Sequence, residues 1–145
     1  MPITEILERN CKLYGDEVAL VELNPEVPDD RRTWKDYELI QPTASSCYRR
    51  EITWNVFNEK ANRFSNLLLS RGIGKGNKVA ILLMNGIEWL PIYFGVLKTG
   101  AIAVPMNFRF SSDEIEYCLN LSEADVLVFG PEFIGRVEEI ADRIM

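Results

Sequence analysis

The sequence predicts an α/β fold: a parallel sheet of three or more strands with helices on both faces, plus a short N-terminal helix and strand pair. Three observations carry that prediction. The runs VAILLM (79–84), AIAV (101–104) and DVLVF (125–129) are continuously apolar, as strands buried on both faces are. Each is followed by a stretch whose apolar residues recur at helical spacing, so strands and helices alternate along the second half of the chain. Turn and cap residues stand at the junctions, with Asn85-Gly86, Pro105 and Gly130-Pro131 closing the three runs.

From the N-terminus, Ile3, Ile6, Leu7, Cys11 and Leu13 fit an amphipathic helix over 3–13, ended by Gly15. VALVEL (18–23) reads as a strand. Residues 24–50 hold three prolines, mixed charge clusters and no sustained period, so they are expected to be a long loop or insert. Inside it RRTWKDYE (31–38) echoes RREITWNVFNE (49–59), and both a duplicated turn-into-helix start and chance explain so short a match.

REITW then predicts a strand entering a helix with Thr53 as N-cap. Phe57, Ala61, Phe64 and Leu68 form the core stripe of that helix, while Asn58, Glu59, Asn62, Arg63 and Asn66 take the wet side. After VAILLM a helix is expected around 87–99. Pro91 and Gly95 within it predict either a kink or a late start near Glu88. Asn85 with Glu88 and Ser111 with Glu114 have capping-box spacing, and Gly130-Pro131 suits an N-cap and first helical position for one last helix.

Composition excludes several functions. The chain has 145 residues, one domain's length, with 47% hydrophobic and 26% charged residues. A net charge of −6 with scattered Lys and Arg argues against nucleic acid, which demands a basic face. There is no histidine, which removes His-ligated zinc, Ser-His and Cys-His catalysis together. Three widely spaced cysteines, Cys11, Cys47 and Cys118, fit a reduced, cytoplasmic setting. No signal core follows the N-terminus, and the most apolar run, Trp89 to Leu97, is about half the ~20 residues that a transmembrane helix needs.

Candidate chemistry is sparse. GIGKGNK (72–78) follows a helix and precedes a strand, the reverse of a phosphate loop, so it reads as a helix end and turn. The acid pairs Asp29-Asp30, Asp113-Glu114 and Glu138-Glu139 are sequential, and on a helix such side chains diverge by about 100°, which suits solvated surface. Cys118, Trp54, Trp89 and Tyr93-Phe94 read as core. The carboxyl ends of the strands remain, since open α/β sheets bind ligands there. That edge holds Asn85, Asn107 and Arg109, with Asn107 and Arg109 as the ligand-edge candidates. The competing reading, that Asn85 caps a helix while Asn107 and Arg109 pin their loop, is favoured because no nucleophile or base stands beside them. No catalytic and no metal-binding residue is assigned.

Two stretches resemble a known family. ITWNVFN (52–58) resembles the first core motif, and LKTGAIAVPMN (97–107) the second, of the adenylate-forming (AMP-binding) enzymes, which include acyl-CoA synthetases, peptide-synthetase adenylation domains and luciferases. The passage GIGKGNKVAILLMNGIEWLPIYFGVLKTGA between them is similar in order and spacing, and the likeness spans about 52–130. Ile102-Ala103 stands where peptide-synthetase domains carry Gly-Tyr, so the chain looks more like a carboxylate–CoA ligase, and its insert at 31–50 departs from the family's shorter link.

The resemblance implies a single partial domain over 1–145, a subdomain of the family's large N-terminal domain. It implies a parent that activates a carboxylic acid with ATP and Mg²⁺ to an acyl-adenylate, then transfers the acyl group to CoA, as in fatty acid metabolism. The family's phosphate loop, ribose-binding aspartate and catalytic lysine have no counterpart in these residues, so this chain alone is expected to be inactive. PEFIGRVEEIADRIM stops in helical pattern without a C-cap, as a truncated chain would. The partners implied are the remainder of the adenylation domain and a small carboxylic acid. The alternatives are a stand-alone Rossmann-like nucleotide-binding module and a self-associating interaction fragment or homo-oligomer.

Overall fold

A computed structural model describes residues 2–24, 33–34, 37–38 and 48–144. Helix α1, Ile3–Tyr14, is amphipathic as expected and buries Leu7. Strand β1, Val18–Asn24, pairs antiparallel with a later strand, β4, Tyr48–Thr53, placing Glu22 opposite Arg50. Two short strands between them, β2 (Thr33–Trp34) and β3 (Tyr37–Glu38), pair with each other. The Thr33-Trp34 step therefore lies in a strand, whereas its echo Thr53-Trp54 opens a helix. The rest of the expected 24–50 loop lies outside the described residues, except that β4 begins within it at Tyr48.

Helix α2, Trp54–Ser70, begins where the sequence predicts: the Thr53 hydroxyl accepts a hydrogen bond from Val56 N–H at 3.3 Å. Phe57, Ala61 and Leu68 are buried, with Ser65 on the same stripe and Phe64 half-buried beside it. Leu7, Phe57 and Ala61 form a core that holds α1 and the hairpin against α2. At its end Gly72 takes a left-handed φ of 78°, and Gly72 N–H and Ile73 N–H bond to Leu69 O and Leu68 O, each at 3.0 Å. This is the Schellman arrangement, so Gly72 of GIGKGNK terminates the helix.

The parallel sheet has the order β6-β5-β7, with β5 at Lys78–Leu82, β6 at Ile102–Pro105 and β7 at Val126–Phe129. In β5 the residues from Val79 to Leu82 are all buried, alternating between two faces. Val79 and Ile81 pack with Leu68, Val96 and Ala101 on one side; Ala80 and Leu82 pack with Met106, Ile115, Leu119, Phe133 and Ile140 on the other. Helices thus cover both faces, which is why β5 is apolar without alternation. The flanking strands correct one expectation. AIAV does not form a wholly buried strand: β6 lies at an edge of this sheet and Ile102 is 51% exposed.

Helix α3, Trp89–Lys98, starts late rather than kinking. Pro91 consequently falls in the first turn, where a backbone N–H has no intrahelical acceptor to lose. Gly95 is required by the crossing of α3 over α2: a Cβ there would stand 2.9 Å from both Ala61 O and Phe64 Cδ1. The Asn85–Glu88 capping box does not form. Glu88 is the N-cap without a side-chain cap bond, because its carboxylate is drawn to the Lys60 ammonium, 3.2 Å from each oxygen.

Helix α4, Ser112–Ser122, does carry its capping box, Ser111 with Glu114. The expected last helix is divided into a 3-10 turn at Pro131–Phe133, α5 at Ile134–Glu138 and α6 at Ala141–Ile144. Burial of Phe133 and Ile140 in one cluster overrides the continuous helical period there.

Candidate functional site

The carboxyl ends of β5, β6 and β7 lie along one edge, because the register aligns Ile81 with Pro105 and Leu82 with Phe129. The strand order 6-5-7 makes the chain reverse direction at β5. The β5–α3–β6 crossover covers one face, and β6–α4–β7 returns across β5 on the other. The crevice of the reversal therefore opens between the carboxyl ends of β5 and β7, the place where doubly wound sheets bind ligands. Its walls are Met84 to Ile87 on one side and Gly130 to Glu132 on the other.

Glu132 reaches into this crevice, and its Oε1 accepts from Met84 N–H at 3.4 Å. On the opposite wall the Glu22 carboxylate, from the N-terminal hairpin, accepts from Ile87 N–H at 2.7 Å. Neither acid was legible as a site residue. Glu132 reads as an ordinary first-turn acid, and Glu22 sits 65 positions before the amide that it binds.

Asn107 and Arg109 are both exposed and both follow β6, on the far side of β5 from the crevice. Asn107 Oδ1 accepts from Arg109 N–H at 3.0 Å, and Asn107 O accepts from Phe110 N–H at 3.0 Å, so the asparagine turns its own loop. The Arg109 guanidinium lies 5.3 Å from the Phe108 ring centroid. Arg136, on α5, secures the same loop by donating to Phe108 O and Phe110 O at 3.0 Å each. The structure brings Asn107 and Arg109 together in one loop, and Asn85 is exposed in the bend after β5.

At the opposite, amino end of the sheet, Asp125 Oδ2 accepts from Lys78 N–H at 2.7 Å and Lys78 Nζ donates to Glu123 at 2.8 Å. The Lys78 backbone N–H holds the Asp125 carboxyl below its ordinary value, and the Lys78 ammonium does so for Glu123. An open cleft of about 360 Å³ lies on this side, between Leu119, Glu123, Asp125 and Ile144. Both acids are engaged by Lys78, so the cleft offers no free carboxylate pair.

Cys11 is a poor nucleophile. Burial pushes the Cys11 thiol up, and its S–H donates to Trp54 O at 3.1 Å. Cys118 packs against the core under β5, and Cys47 lies outside the described residues. Trp54, Phe57, Phe94, Tyr93 and Trp89 contact one another in sequence, with centroids 5.2 to 6.1 Å apart, where α2 meets α3. Asp29-Asp30 lies outside the described residues. Asp113 pairs with Arg143, Glu114 is spent on the capping box and Glu139 accepts from Ser112. Among the described residues no three His, Cys, Asp or Glu side chains converge to hold a metal ion. Among the same residues no helix is long and apolar enough to cross a membrane.

Comparison with known proteins adds to this geometry. The sequence profile of the AMP-binding enzyme family matches residues 7–144. A medium/long-chain-fatty-acid–CoA/3-oxocholest-4-en-26-oate–CoA ligase of Mycobacterium marinum is 34% identical over 94 residues, 65% of this chain and 17% of that protein. A 3-hydroxybenzoate–CoA/4-hydroxybenzoate–CoA ligase of Thauera aromatica is 32% identical over 106 residues, 73% of this chain and 20% of that protein. The N-terminal domain of FACL13 from Mycobacterium tuberculosis superposes with a TM-score of 0.76 at 25% identity, covering 97% of this chain and 30% of that one. The chain thus spans about a fifth of the length of the curated relatives that it matches.

Proposed function

This chain belongs to the AMP-binding enzyme family, and on that premise we propose that it is the N-terminal structural part of an ATP-dependent acyl-CoA synthetase. The parent converts a carboxylate and ATP to an acyl-adenylate and pyrophosphate, then transfers the acyl group to the thiol of CoA in the cytoplasm. The observation that carries this reading is the profile match over nearly the whole chain, joined to the ligase activities of the relatives named above.

Within that reading, these residues supply scaffold. They build the β6-β5-β7 sheet and present the ends of its strands, while the groups that bind ATP, Mg²⁺ and the acid come from the remainder of the adenylation domain. The described residues do not fit a nucleotide or Mg²⁺ by themselves. The α4 N-terminus is closed by its own Ser111 and Glu114. The glycine turn at 72–76 terminates a helix, and the crevice between β5 and β7 is entered by the chain's own Glu132. The relatives act on fatty, sterol and hydroxybenzoic acids, so the choice of acid belongs to residues beyond this shared region.

The test is a paired assay of carboxylate-dependent ATP–pyrophosphate exchange. The coding sequence is read past Met145, and the longer polypeptide and the 145-residue chain are assayed side by side against fatty and benzoic acids. Exchange is expected from the longer polypeptide alone. Exchange catalysed by the 145 residues, or a continuation that encodes no phosphate loop and supports no exchange, would overturn the reading.

A further inference from the structure

We propose that Glu22, on the N-terminal hairpin, is the positioning residue for the Asn85–Glu88 turn at the carboxyl end of β5. The functional weight of the proposal rests on reading that edge as the ligand side of the parent's sheet; its physical content does not.

The turn has one local backbone bond, Trp89 N–H to Gly86 O at 3.2 Å, and no side-chain cap. Its expected capping box is absent, and Glu88 caps α3 without a side-chain bond. Ile87 is 3% exposed, so its N–H has little access to water and needs a protein acceptor. Glu22 provides one at 2.7 Å, the short distance of a charge-assisted bond. Gly86 touches the same carboxylate: a Cβ there would lie 3.3 Å from Glu22 Oε2, so a side chain would press the acceptor away.

A chain of alternating charges runs outward from this bond. Arg50, the cross-strand partner of Glu22, stands 3.7 Å from Glu22 Oε1 and 3.7 Å from Glu88 Oε1, and Lys60 of α2 closes on Glu88 at 3.2 Å. Arg50, Lys60 and Glu88 are partly exposed, unlike Glu22 at 19%, so the outer pairs contribute little energy. Lys60 and Arg50 engage the Glu88 carboxylate, which makes no cap bond, while Glu22 is left to meet the turn. The hairpin thereby fixes a turn 65 residues downstream, and a ligand bound at the crevice would meet a surface shaped by a residue that does not touch it.

Amide hydrogen exchange of the 145-residue chain, followed residue by residue, tests this without any ligase activity. Failure of the proposed function and failure of this proposal are therefore separable. In Glu22→Ala, exchange at Ile87 is expected to quicken about tenfold or more, the scale of one lost hydrogen bond to a charged acceptor. The amides of Met106 and Gly130, which bond to Ile81 O and Leu82 O at the neighbouring strand ends, should keep their wild-type rates. Glu22→Gln retains an acceptor oxygen and should restore most of the protection at Ile87. Arg50→Leu should leave it within about threefold of wild type, since Arg50 is itself 55% exposed and stands 3.7 Å from both acids, at the outer limit of an ion pair.

Unchanged exchange at Ile87 in Glu22→Ala, or equal quickening of all three amides, overturns the proposal. So does an Arg50→Leu effect as large as that of Glu22→Ala. Should Glu22→Ala fail to fold, Gly86→Ala serves in its place, with Ile87 alone expected to quicken and an unchanged rate counting against the assignment.

Discussion

Lys78 binds two carboxylates with different parts of itself. Its backbone N–H meets Asp125 and its ammonium meets Glu123, joining the amino end of β5 to the start of β7. Both acids hold their protons less tightly than in an unfolded chain, so they favour the folded state above the ordinary carboxylate range near pH 4. That contribution is lost as pH falls through their lower folded values. Urea midpoints measured between about pH 6 and pH 2 should fall on acidification, and the fall should be shallower in the double variant Glu123→Gln, Asp125→Asn. An unchanged slope would show that other carboxylates set the acid limb. These two acids look like ordinary turn residues in the sequence, because their partner is 45 to 47 positions away.

Among the elements, local chemistry predicts well where it meets no competitor. Thr53 and Ser111 cap α2 and α4 as their spacing implies, since each side chain serves only its own helix end. Asn85 and Glu88 have the same spacing as Ser111 and Glu114 yet form no box, because α3 starts only at Trp89 and Lys60 and Arg50 hold the Glu88 carboxylate. Substitution should separate the cases. Thr53→Ala and Ser111→Ala are each expected to cost about 1 kcal/mol of stability, and Asn85→Ala less than about 0.5 kcal/mol, as an exposed position away from such features does. Urea denaturation measures all three, and an Asn85→Ala cost equal to that of Ser111→Ala would restore Asn85 as a cap. The divided C-terminal segment follows the same logic: one helical period was readable from Pro131 onward, but burial of Phe133 and Ile140 set where it breaks.

For the whole molecule, the open question is how the strand edges behave. β6 and β7 each have β5 as their paired neighbour, and Ile102 and Phe129 are 51% and 38% exposed. Apolar strand edges of this kind promote pairing between copies, so the isolated chain is expected to associate as its concentration rises. Sedimentation velocity across a range of concentrations should show this, with Ile102→Lys reducing it; a monomer at every concentration would count against self-association.

The sequence by itself determined the α/β class, the alternation of strands and helices, the N-terminal helix and strand, the helix caps without rivals and the family, because these follow from periodicity, turn residues and short motifs along the chain. Only the tertiary structure decided the strand order 6-5-7, the crevice between β5 and β7 and the residues around it. Asn107 and Arg109 were legible because they follow a strand directly, yet they stand on the other side of β5 from that crevice. Glu132 enters it and Glu22 shapes its wall. The physical reason is that both faces of β5 are buried, so its apolar pattern carries no sign of which neighbour lies on which side. That choice was made by the packing of helices from distant parts of the chain.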